Sequence, residues 1–179
     1  MKLIVLDRDG VINNDSDAYI KSTEEWQPID GSLEAIARLN HGGYTVVVAS
    51  NQSGLARGYF DVETLSSMHR KMDEMLSKIG GQVDAIFYCP HGPDDGCACR
   101  KPKPGMLLEI GQRFNVSLKD VVFIGDSIAD IKAASNANAQ AMLVRTGKGV
   151  KAEKIIQAEC KADVPVYDDL AAAVTAILR

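Results

Sequence analysis

Acidic side chains follow two apolar runs of the sequence. Asp7 ends the run LIVLD and Asp9 stands two residues later, while Asp126 ends the run VVFIGD and Asp130 follows within one helical turn. Paired carboxylates suit Mg²⁺, which takes a few protein oxygens and completes its shell with water and phosphate oxygens. Any one of these aspartates could instead cap a helix, so the prediction of a Mg²⁺ site depends on several occurring together.

A second group of reactive side chains lies in the segment CPHGPDDGCACRKP. Three of the four cysteines, Cys89, Cys97 and Cys99, fall here together with His91. Three thiolates and one imidazole form a complete tetrahedral ligand set for a structural Zn²⁺ ion. The loop 89–99 is rich in Pro and Gly and has little apolar material, so a metal would stabilise it. A chance cluster and a redox pair of Cys97 and Cys99 are the alternatives, and the redox pair would leave His91 and Cys89 unexplained.

Composition and charge limit the class of protein. The 179-residue chain has a formal net charge of −4, with 46% hydrophobic and 25% charged residues. These values are typical of a globular domain, and the negative charge disfavours binding to nucleic acid. No segment has the roughly 20 apolar residues of a membrane helix, and the N-terminus does not resemble a signal peptide. We therefore expect one domain over 1–179, in a cytoplasmic monomer that binds a small molecule rather than nucleic acid or a membrane.

Strand and helix patterns alternate along the chain. Five apolar, β-branched runs predict buried strands, at 3–7, 45–50, 85–89, 121–126 and 141–145. Apolar periodicity predicts helices at 31–43, 61–81, 104–114, 128–138 and 168–178, and a shorter helix at 152–160 that contains the remaining cysteine, Cys160. This alternation predicts an α/β fold, a doubly wound three-layer sandwich with a mostly parallel sheet.

The predicted sheet positions the candidate residues. In doubly wound sheets, ligands bind beyond the carboxyl ends of the strands. Asp7, Ser50, Cys89 and Asp126 each end a predicted strand. We therefore expect carboxylates, a hydroxyl group and the cysteine loop to share one edge of the sheet.

Four segments resemble the motifs of the haloacid dehalogenase (HAD)-like phosphatases. DRDGVIN resembles the first motif of the family, and VVVASNQSG resembles the second. RKPKPG resembles the third motif, and VVFIGDSIAD resembles the fourth. They occur in the family's order on the predicted elements and cover about residues 3–130. The resemblance implies a HAD-like fold and a Mg²⁺-dependent phosphatase.

The resemblance also implies a role for each matched residue. Asp7 would attack phosphorus to form an aspartyl-phosphate, and Asp9 would protonate the leaving group and later deprotonate water. Mg²⁺ would be held by Asp7, Asp126 and the backbone carbonyl of Asp9. Ser50 and Lys101 would bind the phosphoryl oxygens.

The metal loop, without an insert large enough for a cap domain, resembles one branch of the family, which acts on a heptose 1,7-bisphosphate or on histidinol phosphate. NQSGLARG (51–58) and LVRTGKG (143–149) favour the heptose bisphosphate, whereas the five-residue gap between His91 and Cys97 resembles the histidinol phosphate branch. We expect hydrolysis of the C7 phosphate, giving heptose 1-phosphate for nucleotide-activated heptose and lipopolysaccharide core synthesis. The alternatives are histidinol phosphate, another small phosphoester, and a zinc-stabilised binding module without catalysis.

Further residues are predicted to contact the substrate. They are Asp15, Asn51, Gln52, Ser53, Arg57, Arg100 and Lys101. Arg57 is assigned to the second phosphate. The zinc loop runs directly into Arg100 and Lys101, so we expect the metal to hold both side chains toward the phosphate.

Overall fold

A parallel sheet runs through the centre of the protein. In this computed structural model, which describes residues 1–159 and 163–179, six strands form the sheet in the order β3-β2-β1-β4-β5-β6. The strands are β1 (Lys2–Leu6), β2 (Tyr44–Asn51), β3 (Ala85–Cys89), β4 (Val122–Gly125), β5 (Gln140–Val144) and β6 (Val166–Tyr167). The direction of strand addition reverses between β1 and β4, which creates a crevice at their carboxyl ends.

Helices cover both faces of the sheet and give the three layers that the sequence predicts. They are α1 (Ser32–His41), α2 (Val62–Ser77), α3 (Gly105–Phe114), α4 (Ile128–Asn136), α5 (Gly149–Ala158) and α6 (Leu170–Ile177), with a 3₁₀ helix at Leu118–Asp120. One apolar core lies between the sheet and α1, α2 and α6, and the other lies between the sheet and α3 and α4. The predicted fold class is therefore confirmed.

The central strand, β1, is apolar from Leu3 to Leu6 because both of its faces are covered. Ile4 and Leu6 of β1 belong to one core, and Leu3 and Val5 belong to the core on the opposite face. Successive side chains of a strand point to opposite faces, so a strand covered on both sides has no polar positions. Asp7 follows where this coverage ends.

The structure differs from the predicted elements at a few positions. β6 is two residues long and was not predicted, because so short a strand has no readable apolar pattern. α5 begins at Gly149, three residues before the predicted start. The helix predicted over 61–81 is too long at its end, because α2 stops at Ser77 and Ile79 beyond it is 40% exposed. Cys160 lies outside the described residues.

Two further features of the fold concern size. The longest connection between the described elements, 7–31, is far shorter than the roughly 50 residues of a small domain, so no large cap covers the sheet edge. Among the described residues, no helix has both the length and the apolar character needed to cross a bilayer.

A test of the core uses Met72, a fully buried residue of α2. Met72→Ala removes side-chain contacts and leaves a cavity, so we expect a free energy of unfolding lower by about 2–5 kcal/mol in urea denaturation. The matched control is Ser66→Ala on the exposed side of the same helix, with an expected change within about 0.5 kcal/mol. Equal losses for the two variants would contradict this packing.

Candidate active site

Strand register brings the predicted catalytic residues together. Leu6 of β1 is level with Val48 of β2 and with Ile124 of β4. Asp7, Ser50 and Asp126 therefore emerge side by side at the carboxyl edge. A pocket opens there, and the predicted residues that line it are Asp7, Asp9, Asp15, Ser50, Asn51, Gln52, Ser53, Arg100, Lys101 and Asp126.

Lys101 is the buried cation of this pocket. Its Nζ lies 2.9 Å from Asp7 Oδ1 and 2.6 Å from Asp130 Oδ1, and it donates a hydrogen bond to the Ala49 carbonyl at 2.8 Å. Burial lowers the pKa of Lys101, but the charges of Asp130 and Asp7 outweigh burial and hold the pKa above its ordinary value. The side chain is therefore charged when it meets a phosphate.

Three carboxylates share this small volume. Oxygen atoms of Asp7, Asp126 and Asp130 all lie within 4.8 Å of one another. Burial and then the charge of Asp130 raise the pKa of Asp7 well above its ordinary value, and the same two causes raise the pKa of Asp126 to about 7. One Lys101 ammonium cannot balance three carboxylates, so the site is suited to a divalent cation.

Hydrogen bonds distinguish Asp130 from the other two carboxylates. Its Oδ1 binds Lys101, and its Oδ2 accepts hydrogen bonds from Ser127 Oγ at 2.6 Å and from the Ser127 backbone N–H at 3.0 Å. Both oxygens are thus occupied by the protein. Asp130 fixes Lys101 and completes a capping box with Ser127, the N-cap residue of α4. The sequence groups Asp130 with the other acidic residues but assigns it no role of its own.

Asp7 and Asp126 each keep one oxygen available. Asp7 Oδ1 meets Lys101 and the Arg8 backbone N–H, while Asp126 Oδ2 accepts from the Lys148 backbone N–H at 2.8 Å. Within residues 1–159 and 163–179, no hydrogen bond reaches the other oxygen of either carboxylate. These are hard oxygen donors facing one pocket, and they fit the Mg²⁺ site that the sequence predicts.

Two glycines allow the backbone to approach Asp126 closely. Gly10 has φ +87° and Gly147 has φ +57°, and a Cβ atom at either position would lie 2.1 Å from Asp126 Oδ2. Thr146 Oγ1 donates to the Gly10 carbonyl at 2.6 Å and joins the two loops. Side chains at these glycines would displace the carboxylate.

Asp9 has a different environment from the three clustered carboxylates. Its Oδ1 accepts hydrogen bonds from Arg8 Nε at 2.9 Å and Asn13 Nδ2 at 2.8 Å, and its Oδ2 accepts from Gln52 Nε2 at 3.0 Å. Burial raises the pKa of Asp9, but the Arg8 charge and these hydrogen bonds lower it further than burial raises it, so the pKa is below its ordinary value. Gln52 Nε2 also donates to Ser50 Oγ at 2.8 Å, which links the second motif to Asp9.

The third motif is anchored to the end of β2. Asn51 Nδ2 donates to the Lys101 carbonyl, and the Lys101 backbone N–H donates to Asn51 Oδ1, each at 3.0 Å. Arg100 lines the same pocket, and its guanidinium donates to the His91 carbonyl at 3.4 Å. Asn51 therefore positions the backbone of Lys101, and the cysteine loop contacts Arg100.

The four predicted zinc ligands converge beyond β3. Cys89 Sγ lies 3.6 Å from Cys97 Sγ, 3.3 Å from Cys99 Sγ and 3.5 Å from His91 Nδ1, and Cys99 Sγ lies 3.3 Å from the same nitrogen. In a tetrahedral Zn²⁺ site with Zn–S bonds of about 2.3 Å, neighbouring ligand atoms are about 3.5–3.8 Å apart. Burial raises the pKa of the Cys89 thiol to about 12, so a bound cation would be needed to keep it as a thiolate. The donor set and its spacing fit Zn²⁺, with His91 presenting Nδ1.

Other predicted and unpredicted residues lie at the pocket rim. Arg57 does not line the pocket; its exposed guanidinium lies 5.7 Å from the ring centre of Tyr19, which does line it. Asp15 forms an ion pair with Lys148 at 3.2 Å. Lys148 was not predicted as a site residue, although it belongs to the segment LVRTGKG that supports the family resemblance.

Comparisons with known proteins agree with this geometry. Residues 98–173 match a family model described as HAD-hydrolase-like. A D-glycero-beta-D-manno-heptose-1,7-bisphosphate 7-phosphatase of Pseudomonas aeruginosa is 53% identical over 99% of this chain and 98% of its own length. The enzyme of that name from Bordetella bronchiseptica is 54% identical over 100% of this chain and 99% of its own length.

Solved structures give the same result. The crystal structure of D,D-heptose 1,7-bisphosphate phosphatase from B. bronchiseptica, complexed with magnesium and phosphate, has a TM-score of 0.96 at 54% identity, covering 99% of this chain and 98% of that one. The Burkholderia thailandensis structure has a TM-score of 0.78 at 40% identity, covering 99% of both chains. The resemblance of the four motifs is thereby confirmed, and the chain belongs to the HAD-like hydrolases and, within them, to the family of D-glycero-beta-D-manno-heptose-1,7-bisphosphate 7-phosphatases.

Proposed function

We propose that this protein is a Mg²⁺-dependent phosphatase that hydrolyses the C7 phosphate of D-glycero-D-manno-heptose 1,7-bisphosphate and releases heptose 1-phosphate. The observation that carries the proposal is the 54% identity, over the whole chain, to the B. bronchiseptica enzyme of that name. The product would supply nucleotide-activated heptose for lipopolysaccharide core synthesis in the cytoplasm.

Asp7 is the proposed nucleophile. Its carboxylate attacks the phosphorus, the bond from phosphorus to the C7 oxygen breaks, and an aspartyl-phosphate forms. Lys101, 2.9 Å from Asp7, orients the nucleophile and offers positive charge to the phosphoryl oxygens, to which the buried Ser50 hydroxyl donates a hydrogen bond. A Mg²⁺ ion held by Asp7, Asp126 and the backbone carbonyl of Asp9 would offset the repulsion between the carboxylates and the phosphate.

Asp9 is the proposed acid and base. Arg8, Asn13 and Gln52 hold its carboxylate in one orientation. The negative charge of an incoming phosphate favours protonation of a neighbouring carboxylate, so Asp9 would gain a proton as substrate binds. Asp9 then donates that proton to the departing C7 oxygen and takes one from the water that hydrolyses the aspartyl-phosphate.

We further propose that Cys89, His91, Cys97 and Cys99 hold a structural Zn²⁺ ion. Bound there, zinc would fix a loop with little apolar core of its own. Two hydrogen bonds connect the loop to the segment that follows it. Arg100 donates to the His91 carbonyl, and Lys103 Nζ donates to the Cys97 carbonyl at 2.6 Å. The loop would therefore position Arg100 and the start of the third motif.

The reaction is tested by phosphate release with Mg²⁺ from heptose 1,7-bisphosphate and, in parallel, from histidinol phosphate. We expect a large preference for the heptose, and a rate at least about 10³-fold lower for Asp7→Asn because the nucleophile is lost. Asp30→Asn, at an exposed aspartate outside the pocket, is the matched control and should keep the wild-type rate. Preference for histidinol phosphate, or retained activity in folded Asp7→Asn, would contradict the proposal.

Zinc is tested by metal analysis and kinetics together. We expect about one zinc per chain in the wild type, held by the four ligands of loop 89–99, and loss of that zinc in Cys99→Ser. Because Arg100 would lose its positioning, KM for the bisphosphate should rise more than kcat falls. Cys160→Ser, which changes the cysteine outside the loop, should keep both zinc and KM. Zinc loss without a change in KM would separate the loop from substrate binding and refute the positioning role.

A further inference from the structure

Lys148 is a charged pocket residue that the proposed chemical steps do not use. It lies between β5 and α5, with its side chain turned to Asp15 across the pocket. We propose, resting on the proposed function, that Lys148 binds the phosphate that is not hydrolysed. In doing so it would exchange its ion pair with Asp15 for that phosphate, and it would thereby select a bisphosphate over a monophosphate.

The backbone of Lys148 is fixed relative to the reaction centre. Its N–H donates to Asp126 Oδ2 at 2.8 Å. The preceding Gly147 packs against the same carboxylate so closely that a Cβ atom would not fit. Thr146 ties this loop to Gly10 of the first motif through a hydrogen bond of 2.6 Å. The Lys148 side chain thus starts from a point set by a proposed Mg²⁺ ligand.

The ammonium group, in contrast, is readily released. The Lys148 side chain is 58% exposed, and its Nζ lies 3.2 Å from Asp15 Oδ2. An ion pair this exposed is weakened by solvent and salt and contributes little stability. A phosphate monoester carries roughly −1.5 to −2 charges at neutral pH and more acceptor oxygens than a carboxylate, so it would displace Asp15 from Lys148.

Two other cations line the pocket, and neither has the position of Lys148. Lys101 is paired with Asp7 and Asp130 and bonded to a carbonyl group, which reserves it for the reacting phosphate. Arg100 follows the cysteine loop and contacts the His91 carbonyl. The strand order also places Lys148, which follows β5, on the opposite side of β1 and Asp7 from Arg100, which follows β3.

Exchange of the ion pair would have a second effect at Asp15. This residue and Asp17 are acidic pocket residues that would repel a second phosphate unless a cation lay between them and the ligand. Once Lys148 has moved to the phosphate, the Asp15 carboxylate can accept a hydrogen bond from a sugar hydroxyl group. One cation would therefore both recognise the second phosphate and release an acceptor for the sugar.

The test compares kcat/KM for heptose 1,7-bisphosphate and for heptose 7-phosphate. In Lys148→Met we expect kcat/KM for the bisphosphate to fall by about tenfold or more, mainly through KM, as for loss of a charge-assisted contact. The value for the monophosphate should change less than about twofold. Lys148→Arg should retain most of the preference. Lys151→Met, an exposed lysine on α5 outside the pocket, should behave as wild type.

A second measurement avoids turnover. Heptose 1-phosphate keeps the phosphate in question, so its dissociation constant, measured by calorimetry with Mg²⁺ present, should rise in Lys148→Met and not in Lys151→Met. Equal falls in kcat/KM for both substrates, or an unchanged dissociation constant for heptose 1-phosphate, would overturn the role of Lys148. The proposed function would still stand. A wild type that hydrolyses neither heptose phosphate would overturn the proposed function and this inference with it.

Discussion

The ion pairs of Lys101 with Asp7 and Asp130 are the interaction on which the site depends. Three carboxylates are buried at the sheet edge, and burial of so much like charge is unfavourable without a cation. Lys101 reaches this point because Asn51 anchors its backbone to β2. The remaining excess of negative charge explains why the pKa values of Asp7 and Asp126 are raised, and why a divalent metal ion would complete the arrangement.

The parallel sheet brings these charged residues together by placing the ends of neighbouring strands side by side. Leu6, Val48 and Ile124 are level in adjacent parallel strands. The residues just beyond them therefore meet, although they are far apart in the sequence. Glycines then permit the loops after β1 and β5 to pack against Asp126. The buried apolar residues of β1, β2 and β4 lie below this edge and support the acidic side chains at it.

Most of the fold could be predicted from the sequence because the central strands are buried on both faces, the helices have apolar periodicity, and Gly-Gly pairs follow α1 and α2. The two-residue β6 carried no such signal. In the site, residue types predicted which side chains could bind metal or phosphate, but not their partners. The ion pair of Asp130 with Lys101 and that of Lys148 with Asp15 join residues distant in sequence, and only the folded chain brings them together.

Arg8 illustrates the same limit. Its sequence position between Asp7 and Asp9 predicts no particular environment, yet the side chain is fully buried. It spans from Asp9 to His69 of α2, where its guanidinium lies 3.3 Å from the imidazole Nε2. Burial and the Arg8 charge lower the pKa of His69 to about 4, so the imidazole is neutral and can accept a hydrogen bond from the guanidinium.

Charge balance then separates the proposed roles of two aspartates that are two residues apart. The charge of Asp9 is already balanced by Arg8, and Asn13 donates a further hydrogen bond to Oδ1. Among the described residues, Oδ2 accepts a hydrogen bond only from Gln52, so it keeps a lone pair that can hold a proton. Asp7 has only a share of Lys101, and one of its oxygens is available. A metal ion therefore gains most by binding the Asp7 side chain. The Asp9 carboxylate, held apart by its own partners, is left for proton transfer.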